Sequence, residues 1–282
     1  MRRSLGIVIA GLMMSGAAYA TPAWVQSIGT TTVAASGGSG KLTLNGVTAG
    51  DLLVVFCSQY ATSALTVTDS DSNTVVQALA PSGSGNSYYV SLYYIANASA
   101  GTHTETLANG SGNLSCYFAE FSGVATSSPE DGSAAAIAVG NGTAITANSV
   151  TPSVSGDLAI SFYGSDASPI PTITWGTPLS GANDANGGYT GGSTAWGVLT
   201  GTSAFAATAT IGSTATWAAS TVLFKPSGAA STCAHDGYTS TGTLSIPNGT
   251  SGSYWLKNGT FGTPDCSTVN YWQPTVGNFG VN

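Results

Sequence analysis

Gly50-Asp51-Leu52-Leu53-Val54-Val55-Phe56 and Gly156-Asp157-Leu158-Ala159-Ile160-Ser161-Phe162 carry one pattern at an offset of 106 residues. Each opens on a Gly-Asp pair. Each then runs apolar for strand length, but for Ser161, with no apolar spacing at i, i+3, i+4 and i+7. The same offset sets Thr66-Val67-Thr68 on Thr172-Ile173-Thr174, and Val90 and Leu92 on Trp196 and Val198. It also sets Cys116-Tyr117-Phe118 on Val222-Leu223-Phe224. A shared offset over four separate strands points to an internally duplicated all-β chain.

Further strands are expected at Leu114 to Phe121, Tyr88 to Ile95, Phe205 to Ile211 and Ala218 to Phe224. Within the first of these, Leu114, Cys116 and Phe118 share one face and Tyr117 and Phe121 the other. Apolar area on both faces makes it a central strand. Glu120 has the parity of Cys116 and Phe118, which makes it a candidate buried acid. Apolar strand faces need a partner layer, so the expected architecture is a two-sheet antiparallel β-sandwich, jelly-roll-like and duplicated. Pro81 to Asn86 and Gly181 to Gly192 read as flexible connections.

The chain opens with Arg2 and Arg3, an apolar run from Leu5 to Met14, and small residues ending Ala18-Tyr19-Ala20. That is the order of a secretory leader, and the run is too short for a membrane helix. The expected division is a signal peptide over 1–20, a β-sandwich over 21–225, a linker over 226–232, and a small disulfide-closed β module over 233–282. Without its leader the chain has three lysines against twelve carboxylates, a formal charge of −9. Such a surface has no basic footprint for nucleic acid, and no later apolar run has transmembrane length.

Export permits disulfides among Cys57, Cys116, Cys233 and Cys266. Pairing within each expected domain favours Cys57–Cys116 and Cys233–Cys266. Separate buried thiols at Cys57 and Cys116 are one other reading, and metal ligation, against which stand the absence of CxxC and the presence of only His103 and His235, is another.

Asp69-Ser70-Asp71-Ser72-Asn73 places oxygens at alternate positions, as in the first half of a calcium loop. Thr74 stands where that loop needs glycine, and Ala80 where it needs glutamate. Calcium on Asp69, Asp71 and Asn73 therefore competes with a plain turn capped by Asp and Asn side chains. Asp51 and Asp157, at matched positions, suggest a repeated structural job at turn backbone. His103, in Gly101-Thr102-His103-Thr104-Glu105, is expected on an exposed strand face. His103 and His235 have no recognisable nucleophile partner, and no serine elbow or HExxH pattern is present. The doublets Tyr254-Trp255 and Tyr271-Trp272 offer rings that can stack on sugars, one member of each pointing outward in a strand.

The stretches Ala49 to Val55, Thr66 to Thr74, and Glu120-Phe121-Ser122-Gly123-Val124 resemble secreted bacterial and phage-borne β-sandwich modules. They are loosely similar to the lectin/glucanase-like jelly-roll group. The resemblance covers roughly Ala23 to Phe224, and the acidic motif of the glucanases is missing. It implies a sandwich fold and no assured activity. The leading expectation is a secreted, non-catalytic surface or binding protein whose partners are extracellular glycans, with calcium as the one candidate ion. A self-assembling fibre or surface-layer subunit, pairing with copies of itself, stands second. A secreted carbohydrate-acting enzyme stands third.

Overall fold

The computed structural model describes residues 19–33, 39–60, 65–84, 88–109, 114–165, 172–186 and 191–228. They form one compact body, Tyr19–Ser227. Tyr19 and Ala20 belong to it, and Ala20 N donates to Ser227 O. The rest of the expected leader, the module over 233–282, and with it Cys233 and Cys266, lie outside the described residues. The body runs two residues into the expected linker. Pro226 bridges Val124, and Ser227 N donates to Gly123 O.

Fourteen strands occur among the described residues. They are β1 (Ala23–Val33), β2 (Ser39–Val47), β3 (Leu52–Tyr60), β4 (Leu65–Asp69), β5 (Val76–Ser84), β6 (Tyr88–Ile95), β7 (Gly101–Asn109) and β8 (Leu114–Ser122), then β9 (Ala138–Thr146), β10 (Leu158–Ser165), β11 (Ile173–Trp175), β12 (Ser180–Asn186), β13 (Gly191–Val198) and β14 (Thr208–Phe224). All ladders are antiparallel. The first sheet has the order β1-β8-β3-β6-β5, and the small sheet β2-β7-β4. The second large sheet has the order β11-β14-β10-β13-β12, with β9 also paired to β14.

The β-sandwich is thus present, and its connectivity is written twice. The run β8-β3-β6-β5 corresponds to β14-β10-β13-β12. In the second half β9 replaces β1 and β2 as one strand, and β14 replaces β7 and β8. Strand parity sorts the apolar side chains into three cores. Leu53, Val55 and Cys57 face the small sheet, together with Leu42, Leu107 and Phe118. The alternate residues Leu52, Val54 and Phe56 face Leu158, Ile160 and Phe162 across the interface between the large sheets. Ala159 and Tyr163 turn to a third core with Ile145, Ile211 and Trp217. A strand apolar on both faces fits such a position, since each large sheet is covered on both sides.

The β8 expectation holds: β8 lies between β1 and β3, and its two faces divide as the alternation requires. Other expectations need correction. Leu52 pairs with Phe121 while Leu158 pairs with Phe224, so Phe121 matches Phe224 at an offset of 103. Leu53 pairs with Ile95 while Ala159 pairs with Gly197, an offset of 102. Loops of unequal length between strands absorb the difference. Phe205 to Ile211 and Ala218 to Phe224 are not two strands, because β14 runs unbroken from Thr208 to Phe224. The stretches read as flexible connections contain the end of β5, β12 and the start of β13. Backbone pairing to β6 and between β12 and β13 orders these Gly- and Asn-rich edges.

The matched Gly-Asp pairs make matched corners. Gly50 and Gly156 both have positive φ, 93° and 101°, where a side chain is strained. Gly50 N donates to Ala98 O and Ala98 N to Asp51 O. Gly156 N donates to Leu199 O and Leu199 N to Asp157 O.

Candidate functional site

Four sets of side chains stand out from plain packing. The first is at the end of β4. Asp69 Oδ2 accepts from Asp71 N at 3.1 Å, from Asn73 N at 3.2 Å and from Asn73 Nδ2 at 2.7 Å. This is an aspartate-capped turn, with Ser72 at a φ of 60°. Asp71 Oδ2 accepts from Ser99 Oγ at 3.1 Å. Asn73 presents its amide nitrogen to Asp69. Asp69, Asp71 and Asn73 are therefore neighbours, with Asp69 Oδ2 taken up inside the turn and Asp71 Oδ2 by Ser99.

The other Asp69 oxygen looks inward. Asp69 Oδ1 lies 2.9 Å from His103 Nδ1. His103 and Glu105 belong to β7, which pairs with β4 so that Glu105 stands opposite Asp69. Both are fully buried, so His103 does not lie on an exposed face as expected. His103 Nε2 lies 2.9 Å from Ser99 O. A carbonyl only accepts, so Nε2 carries a proton and Nδ1 faces the carboxylates. One ligand-type atom from each of Asp69, His103 and Glu105 falls within 4.8 Å of the others.

The electrostatics follow from burial. Glu105 is pushed up to about 8 by desolvation, with the Asp69 charge and contact adding to it. Neither Glu105 oxygen has a donor among the described residues. Two carboxyls can meet there only with a proton between them. Burial also pushes Asp69 upward, but hydrogen bonds from Asn73 and His103 outweigh it and hold the carboxyl below its usual value. Burial pulls His103 down. The Ser99 carbonyl and the Asp69 carboxylate outweigh that and leave it raised.

The second and third sets sit at the Gly-Asp corners. Glu120 is a buried acid, as its parity suggested. It accepts from Thr48 N at 2.8 Å and Gln26 Nε2 at 2.5 Å. Asp51 beside it is pushed up to about 6, by burial first and then by Glu120. In the second half Asp131 accepts from Ser153 N at 2.5 Å and Ser153 Oγ at 2.6 Å. Asp157 is pushed up to about 8 by burial and by Asp131, partly offset by Lys225. The two aspartates thus take matched places, each closing a corner through its backbone carbonyl and setting its carboxyl beside a second acid, and that second acid, Glu120 or Asp131, accepts from the loop backbone N–H.

The fourth set is aromatic. Trp24 on β1 and Trp196 on β13 stack with centroids 6.0 Å apart and planes 12° from parallel. Phe121 on β8 meets Trp196 edge-on at 5.6 Å. Trp24 keeps 45% of its surface exposed. Val25 and Ile28 on the same strand are also exposed. Among the described residues β1 has one hydrogen-bonded strand neighbour, β8.

Cys57 and Cys116 form a disulfide with Cα atoms 4.1 Å apart, at directly paired positions of β3 and β8. The expected sugar-stacking residues Tyr254, Trp255, Tyr271 and Trp272, with His235, lie outside the described residues. Three residues were missed from sequence: Glu105, and Trp24 with Trp196. Glu105 had a readable signal, since it shares parity with Leu107. No helix among the described residues is long and apolar enough to cross a membrane. Compared with protein families, with curated proteins and with solved structures, the chain matches none.

Proposed function

We propose that the chain is an exported, non-catalytic binding protein that takes glycans on the aromatic face of β1. One observation carries this reading: the exposed Trp24 ring, stacked on Trp196, which is itself wedged by Phe121. A flat ring fixed before binding loses little freedom when a sugar stacks on it. The buried disulfide supports passage through an oxidising compartment. The carboxyl pairs of the described residues support a binding role over hydrolysis. They sit against each other and against their own backbone, whereas glycosidase acids stand roughly 5–9 Å apart across an open cleft. Tyr254, Trp255, Tyr271 and Trp272 remain a second candidate platform, and calcium a candidate ion for the Asp69 turn.

The test is a glycan array with the exported full chain, followed by titration of any hit against Trp24→Ala. The expected outcome is a hit whose affinity falls at least about tenfold in the variant, which is ~1.4 kcal/mol. An array without hits, or a hit indifferent to Trp24→Ala and lost in Trp255→Ala, would move or remove the site.

A second reading is favoured by the same strand. An edge strand bearing Trp24, Val25 and Ile28 is a template for strand pairing. Filaments of purified chain under the electron microscope, lost on Val25→Lys, would place self-assembly first.

A further inference from the structure

We propose that Asp69, His103 and Glu105 form a binding site for a divalent transition-metal ion of the zinc type, held by one imidazole nitrogen and two carboxylates. Three observations carry it.

The first is the orphaned acid. Glu105 is fully buried, is aimed at Asp69 and His103, and has no donor among the described residues for either oxygen. Burying a carboxylate that no donor reaches is costly. A cation between the groups would satisfy both carboxylates at once.

The second is the imidazole. Nε2 donates to the Ser99 carbonyl, which fixes the ring and leaves Nδ1 directed at the carboxylates. Metal-bound histidines are oriented in this way by a backbone carbonyl on the far nitrogen. The three ligand-type atoms lie within 4.8 Å of each other. Zinc holds such atoms at ~2.0–2.2 Å, so movement of about an ångström would close the cage.

The third is the other half of the molecule. There Trp175 pairs with Ala209, and Ala209 with Ile145. These take the places of Asp69, Glu105 and Leu42. The fold therefore closes this corner with apolar residues when nothing else is asked of it.

The donor set also selects the ion. Calcium prefers six to eight oxygens, whereas an imidazole with carboxylates suits zinc and its neighbours. The site thus differs from a calcium loop over Asp69, Asp71 and Asn73.

The experiment is calorimetric titration of chelator-stripped full chain with zinc chloride, paired with thermal unfolding at each ratio. One ion per chain is expected, with a rise in melting temperature that grows with zinc. Glu105→Gln and His103→Gln should each weaken binding by about tenfold or more. Asp71→Asn and His235→Ala should leave it unchanged. Absence of stoichiometric binding overturns the proposal. So does binding that survives both cluster variants, or that disappears with His235→Ala. Should the cluster variants fail to fold, wild-type chain loaded with cobalt(II) decides. Ligation by His103 gives one exchangeable, strongly shifted imidazole N–H signal, and its absence overturns the site.

Discussion

The two halves share a topology and fill it differently. In the first half the core under the small sheet is built of Leu42, Leu44, Leu53, Val55, Leu65, Leu107, Leu114 and Phe118. In the second the matching core holds Ala159, Ala195, Ala207, Ala209, Ala215 and Ala219 beside Ile145, Leu179, Leu199, Ile211 and Leu223, with Tyr163 and Trp217 as its largest members. Gly140 accommodates the indole, since a Cβ there would overlap the Trp217 ring. Even the disulfide has a counterpart. Cys57 pairs with Cys116, and at the equivalent place Tyr163 pairs with Ala219. One large ring over a methyl fills the space that two cysteines bridge. The alternation of faces therefore specifies the fold, while the distribution of volume is settled locally.

The largest test of this comparison addresses what the halves share. Phe56 and Phe162 meet across the interface between the large sheets, with ring centroids 5.2 Å apart, and both are fully buried. Phe56→Ala and Phe162→Ala should each cost about 3–5 kcal/mol. Urea unfolding followed by circular dichroism and by tryptophan fluorescence reads the loss. If the body unfolds as one unit, both probes shift together in both variants. Two separated transitions would break the view of the interface as a common core.

The next effect separates the halves. Replacing Cys57 and Cys116 together by alanine opens a cross-link over 59 residues in the first half. The expected cost is about 2–4 kcal/mol, through the greater freedom of the unfolded chain. Denaturant midpoints of the variant and of wild type, both under reducing conditions, should agree. A cost near zero would mean that the leucine-rich packing already holds this half as firmly as Tyr163 and Trp217 hold the other.

Legibility in the sequence follows the same division. β3 and β10 are readable because both faces are buried and the run is apolar over Leu52 to Cys57 and, but for Ser161, over Leu158 to Tyr163. The register of β14 was misplaced by three residues, because alanine, serine and threonine give little contrast between faces. β12 was hidden, since its Ser-Gly-Ala-Asn-Asp-Ala-Asn stretch has the composition of a loop and is ordered by pairing with β13. Thr102-His103-Thr104-Glu105-Thr106 read as a solvated face because its hydrophilic residues alternate with other hydrophilic ones. Only Leu107, at the parity of His103 and Glu105, marked that face as inward. The stacking of Trp24 on Trp196 joins strands far apart in the chain, and no local pattern announces it.

The last test, smallest in its effect per pH unit, concerns the Gly-Asp corners. Asp51 is pushed up to about 6 and Asp157 to about 8, from a common ordinary value of 3.8. Between the unfolded and the folded value, the folded chain holds a proton that the unfolded chain has released. Stability is then full below about 4 and falls as pH rises through that window, by at most about 1.4 kcal/mol per pH unit for one group. Asp131 has the opposite sign. Burial raises it, but bonds from Asp157 and Ser153 outweigh that and hold it low, so its share of stability is lost as pH falls. Asp157→Asn should flatten the decline from about pH 4 to about pH 8, since an amide donates to Asp131 at every pH. Asp51→Asn should flatten it only to about pH 6. Urea midpoints across this range compare the corners directly. The difference rests on dryness, because Asp157 is fully buried and Asp51 retains 8% of its surface. Equal windows for both variants would mean that water reaches the two corners alike.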